Sequence, residues 1–85
     1  MNTIVRAGNG QSDNNRATIR LRPPLLGPHT NYAFLVSASP GALNLPHGAY
    51  VCGYDMDQTL QNVAAFEVYT EQAIAQFAWI VVQLG

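Results

Sequence analysis

Arg16, Thr18, Arg20 and Arg22 alternate with Ala17, Ile19 and Leu21. A helix would scatter those arginines around its axis. Only an extended strand, whose side chains repeat every second residue, gathers them on one face and the aliphatics on the other. The segment therefore reads as a half-buried strand, stopped by Pro23-Pro24 because proline cannot extend a ladder. The same period recurs downstream. Asn31 to Ser37 sets Tyr32, Phe34 and Val36 against Ala33 and Leu35, apolar on both faces, as in a strand covered on two sides. Ala49 to Tyr54 places Tyr50, Cys52 and Tyr54 on one face. Val63 to Thr70 puts Ala64, Phe66, Val68 and Thr70 opposite Glu67 and Tyr69, and Gln76 to Leu84 puts Phe77, Trp79 and Val81 opposite Ala78, Ile80 and Val82. Thr3 to Ala7 adds a short N-terminal strand.

Between these runs lie turn residues. Ser39-Pro40-Gly41 and Asn44 to Gly48 read as loops, and Gly8 to Asn15, rich in Gly, Asn, Ser and Asp, reads as a flexible loop or arm. One stretch competes: the alanines, glutamates and glutamines of Ala64 to Phe77 suit a helix. The β-branched and aromatic run Phe66-Glu67-Val68-Tyr69-Thr70 favours a strand, with at most one helical turn at Glu71 to Ala75. Five to six short strands with Pro/Gly loops imply an all-β chain, a small antiparallel sandwich or barrel, forming a single domain over residues 1–85.

Such a sheet has edges, and exposed edges pair with other chains unless charge, above all lysine, blocks them. This chain has no lysine, and no Asp, Glu or Arg between Arg22 and Asp55 or after Glu71. Its charged fraction is 11%, against about 25% for an average soluble domain. A chain of 85 residues also buries only about 60% of its unfolded surface and usually needs a staple. Cys52 is the only cysteine, so no internal disulfide exists, and with His29 and His47 it falls short of the four ligands of a closed zinc site. Self-association is the staple that remains. A homo-oligomer, a trimer or larger ring, is expected, with Phe77, Trp79, Ile80 and Val82 of the terminal strand at its interface.

The remaining charge is asymmetric. Arg6, Arg16, Arg20 and Arg22 all precede Pro23, whereas Asp55, Asp57, Glu67 and Glu71 follow Tyr54. Arg16, Arg20 and Arg22 mark the face offered to a partner, because the guanidinium fork binds carboxylates bidentately and is weakly hydrated. That partner is expected to be another structural protein. Net charge is −1 and the arginine face has no stacking aromatics, which argues against nucleic acid.

No motif names a reaction. Asp55 and Asp57 are spaced as in calcium loops, without the glycine and distal glutamate those loops require. Gly8-Asn9-Gly10 lacks the helix and third glycine of a dinucleotide fingerprint. Ser12, Ser37 and Ser39 sit in no nucleophile elbow. Cys52 alternates with tyrosines as an ordinary apolar strand position, although pairing with His29 or His47 would make it a nucleophile. No catalytic, cofactor-binding or metal residue is assigned. Tyr32, Tyr50, Tyr54, Tyr69 and Trp79 suit a core or a subunit interface, or a ligand platform. There is no secretory h-region, and the apolar run Phe77 to Val82 is too short to span a bilayer. The expectation is a non-enzymatic assembly subunit, cytoplasmic or built into a particle, in the manner of a small capsid-decorating or fibre-like virion protein. The alternative is a small carbohydrate- or protein-binding β module using surface tyrosines and the Asp55–Asp57 loop.

Overall fold

Alternating apolar residues build two sheets that face each other. The computed structural model describes residues 1–38, 48–59 and 61–85; the expected Ser39-Pro40-Gly41 turn, most of the Asn44–Gly48 loop and His47 lie outside the described residues. Six strands follow in chain order: β1 Thr3–Gln11, β2 Arg16–Leu25, β3 Tyr32–Ala38, β4 Ala49–Met56, β5 Val63–Thr70 and β6 Gln76–Gln83, with a 3₁₀ turn at His29–Asn31 before β3. They form two antiparallel three-stranded sheets, β1-β6-β3 (sheet A) and β2-β5-β4 (sheet B), packed as a small sandwich. The segment that also suited a helix is strand through Thr70, and residues 71–75 bend without a helical turn.

Each sheet contributes its aliphatic and aromatic face to one core. Leu21 and Leu25 of β2, Val63, Phe66 and Val68 of β5, Tyr32 of β3, and Phe77 and Val81 of β6 are buried together. Phe66 sits at the centre, 5.2 Å from the Phe34 ring and 5.3 Å edge-on to Trp79. Side chains of this size each contribute about 1.5–3 kcal/mol when fully buried.

Two elements run further than their sequence suggests. β2 continues through Pro23-Pro24 to Leu25, with a cis Arg22–Pro23 bond. The prolines are tolerated because β2 is an edge strand and its ladder to β5 lapses between Arg20 and Leu25, where no backbone donor is required. β1 continues to Gln11, so Gly8 to Gln11 is paired strand and not the start of a flexible loop. The physical reason lies on β6. Gly8 is paired with Trp79 and Gly10 with Phe77. A Cβ on Gly8 would lie 2.7 Å from Trp79 Cζ2, and one on Gly10 2.5 Å from Phe77 Cζ. The two rings fill the space that side chains on β1 would otherwise occupy.

The remainder of that stretch, Ser12 to Asn15, is a tied turn. Asn14 and Asn15 take positive φ (55° and 71°), a conformation Asn tolerates best among residues with a side chain. Asn15 Nδ2 donates to the Thr70 and Glu71 carbonyls, and its backbone N–H donates to Ala73 O. Ser12 is buried; its Oγ accepts from the Ala75 N–H at 2.9 Å and lies 2.7 Å from the buried Thr70 hydroxyl. The β1–β2 turn is thereby locked to the β5–β6 turn at one end of the sandwich.

Candidate functional site

With the core assigned, the side chains pointing away from it define two unlike outer faces. On sheet A, Ile4 of β1 aligns with Val82 of β6 and Ala33 of β3; Ala7 aligns with Ile80 and Leu35; Asn9 aligns with Ala78 and Ser37. No formal charge stands on this face. Ile4 is 60% and Leu35 53% exposed. A groove of about 220 Å³ runs over β3 and β6, lined by Leu35, Ser37, Ala78 and Ile80 among others. That volume is below the ~300–1,000 Å³ of small-molecule pockets, so it suits a protein side chain better than a ligand.

Sheet B is the opposite. Arg16 aligns with Tyr69 and Tyr50, Thr18 with Glu67 and Gly53, and Arg20 with Ala65 and Asp55. The Tyr50 and Tyr69 rings lie 5.2 Å apart at 37°, beside Arg16. Arg16 Nη1 donates to Cys52 Sγ at 3.6 Å. Glu67 is diagonal to both Arg16 and Arg20, within reach of long side chains across a sheet. Arg16, Arg20 and Arg22, the expected partner-binding residues, are all exposed and alternate on this face of β2.

The expected oligomer interface divides in two. Phe77 is 1% exposed and Trp79 packs against the core, so both point into the chain's own interior. Ile80 and Val82 lie on the outer face of sheet A. The correction follows from a strand apolar on both faces: alternation alone does not say which face turns inward. The Trp79 indole N–H is buried without an acceptor among the described residues.

β4 carries a second correction. Cys52 is exposed and does not fill an apolar strand position, and Tyr50 and Tyr54 do not share a face. Register shifts between Val51 and Gly53 and between Asp55 and Met56 break the alternation, as bulges do by inserting an unpaired residue. Tyr50 therefore joins the outer face of sheet B. Tyr54 instead stacks on His29 at 4.5 Å and meets the Phe34 ring at 4.9 Å, tilted by 55°. His29 is thus engaged with a ring, while Cys52 is engaged with an arginine.

Asp55 and Asp57 also part company. Asp55 stands on the sheet, whereas Asp57 is taken up by its own turn. Its Oδ1 accepts from the Thr59 hydroxyl at 2.7 Å and from the backbone N–H groups of Thr59, Gln61 and Asn62; its Oδ2 accepts from Asn62 Nδ2 at 2.9 Å. The Thr59 hydroxyl, followed by the Asn62 side chain and the two backbone donors of Asn62 and Gln61, holds the Asp57 carboxyl below its ordinary pKa of 3.8. Asn62 Oδ1 in turn accepts from the Gly27 N–H at 2.9 Å, joining this turn to the one after β2. Among the described residues no three His, Cys, Asp or Glu side chains converge on a point where a metal would sit, and no helix is long and apolar enough to cross a membrane. No family model, curated protein or solved structure was found to match the chain.

Proposed function

We propose that this chain is a non-enzymatic structural subunit that assembles with copies of itself into a closed oligomer of three or more. In this reading it docks through Arg16, Arg20 and Arg22 on another structural protein, as a decorating or fibre-like component of a particle such as a virion. The observation that carries the reading is the contrast between the two outer faces. A face built from Ile4, Ala7, Ala33, Leu35, Ile80 and Val82 without a charge gains by being covered, and a second copy covers it without setting like charges against each other.

The test is native mass by light scattering over a hundredfold dilution, for the wild type and for Ile80→Lys. A stable oligomer that loses subunits on Ile80→Lys, with an unchanged far-UV spectrum, supports the reading. A folded wild-type monomer overturns it.

A binding-module reading draws on the Tyr50–Tyr69 pair beside Arg16 and on Asp55, an aromatic surface flanked by hydrogen-bonding groups of the kind that recognises sugars or peptides. Saturable glycan binding abolished by Tyr50→Ala or Asp55→Ala would put that reading first.

A further inference from the structure

The four edge strands of the sandwich are not equally protected. β1 has a register shift between Ile4 and Arg6, and the Arg6 guanidinium folds across to the Pro23 carbonyl at 3.0 Å. β2 carries three arginines, two prolines and the lapse between Arg20 and Leu25. β4 has two register shifts and Asp55. These are the devices by which proteins keep sheet edges from pairing with other chains. β3 has none of them. Its seven residues, Tyr32-Ala33-Phe34-Leu35-Val36-Ser37-Ala38, hold one unbroken register with β6 and contain no charge, proline or bulge. Among the described residues no strand is paired to its other side.

The hydrogen-bond phase of β3 is known. The Leu84 N–H donates to Asn31 O across the β6 side. In an antiparallel ladder alternate residues turn their backbone groups to the same neighbour. Ala33, Leu35 and Ser37 therefore turn theirs to β6, and Tyr32, Phe34, Val36 and Ala38 turn theirs to the open edge. On the far side of β6 the Ser12 N–H to Ala75 O bond gives the same phase, assigning residues 75, 77 and 79 to β1 and leaving 78, 80 and 82 for β3.

We propose that the β3 edge pairs antiparallel with β3 of a second copy about a two-fold axis at Leu35, fusing two copies of sheet A into one continuous six-stranded sheet. This rests on the self-assembly reading above and names a second contact for it. Only the register centred on Leu35 pairs all seven residues. It sets Phe34 opposite the partner's Val36 and Tyr32 opposite the partner's Ala38, hydrogen-bonded pairs that match a large side chain with a smaller one. Leu35 meets the partner's Leu35 at a pair without hydrogen bonds, where Cα atoms approach to about 4.5 Å and side chains touch. The occupant is a second copy and not a charged strand of another protein, because the segment offers nothing for a charge to pair with, whereas its own sequence is self-complementary. The two uncharged faces also become contiguous across the seam. Face-to-face packing of sheet A has its two-fold axis in the plane of the sheet, and the seam has one perpendicular to it. Where those two axes intersect, the two contacts together close at four copies, which face packing alone does not reach.

The decisive experiment is disulfide trapping. In a Cys52→Ser background, Leu35→Cys should yield a disulfide-linked dimer under mild oxidation at micromolar protein, because the Cα separation expected at that pair falls within the ~4.4–6.8 Å a disulfide spans. Ala33→Cys should stay unlinked, and Ala33→Cys combined with Ser37→Cys should link. Light scattering supplies the second measurement: Ala38→Pro removes a backbone N–H that turns to the open edge and adds no charge to the outer face, so it should halve the native mass with an unchanged far-UV spectrum. An associating protein in which Leu35→Cys does not link, or links no faster than Ala33→Cys, overturns the seam. If Ile80→Lys lowers the mass and Ala38→Pro leaves it unchanged, the seam is wrong and self-assembly stands. A monomeric wild type removes both.

Discussion

The outer face of sheet A and the outer face of sheet B come from strands of similar length and share one core, yet they are prepared for different surroundings. Sheet A presents Ile4, Ala7, Leu35, Ile80 and Val82; sheet B presents Arg16, Arg20, Glu67, Asp55 and the Tyr50–Tyr69 pair. A monomer in water has no use for that asymmetry. Solvent favours the charged face and disfavours the apolar one, and the free energy of covering sheet A scales with the area removed from water. Low overall charge is less informative than its segregation. What charge the chain has is concentrated on one side.

The largest break in this comparison comes from the layer that holds the faces apart. Trp79→Ala should cost about 3–5 kcal/mol and abolish assembly together with the cooperative melt. Trp79→Phe should cost far less, since the indole N–H has no acceptor to lose among the described residues; thermal denaturation compares the two. Gly10→Val comes next, because its Cβ would press on Phe77 Cζ, and overpacking of this kind costs about 1–3 kcal/mol. Ile80→Lys sharpens the comparison by giving sheet A a charge: stability should hardly change, while native mass falls. The triple change of Arg16, Arg20 and Arg22 to Ser makes sheet B resemble sheet A. Since exposed ion pairs are worth at most about 1 kcal/mol each, the fold should persist with a nearly unchanged thermal melt, as the proposed docking role of these arginines requires. Unfolding of that variant would mean the arginines make internal pairs.

The smallest effect is at Asp57. Its native pKa lies below 3.8, so the native state stabilises the carboxylate. That contribution is fully present above 3.8, declines as pH falls through the lowered native value, and is gone below it. Asp57→Asn should lower Tm slightly in the neutral region, where that contribution is present, leave the acid end little altered, and so flatten the acid limb of a Tm-against-pH profile.

The strands with side chains on both registers were legible in the sequence. Arg16 to Arg22 and Phe66 to Thr70 announce their faces by alternation, and the arginine row lies where that alternation puts it, whereas a register shift opposite Ala64 puts Val63 in the core in its place. Gly8 and Gly10 were not legible as strand, because glycine has no side chain with which to alternate. Their place is set by Trp79 and Phe77 on a strand at the far end of the sequence. Cys52 departs from its expected apolar position because a bulge shifts the phase of β4, and a bulge leaves no mark in composition. The inward turn of Phe77 and Trp79 was ambiguous for the converse reason: Ile80 and Val82 are nearly as apolar, and only the packing of β6 over β5 decides between them.

Sheet A has its central strand last in the sequence. β1 and β3 are each paired only with β6 within their sheet, so during synthesis both emerge before their partner exists. β2, β4 and β5, which build sheet B, can all pair before β6 appears. Pairings between distant segments are slow to form, and unpaired strands at this stage invite intermolecular capture. The segment Tyr32–Ala38, with no charge to discourage an early encounter, is therefore exposed while folding is incomplete. Yield should depend on how quickly β6 arrives, with slow refolding at high concentration diverting the chain into aggregates held by the same strand.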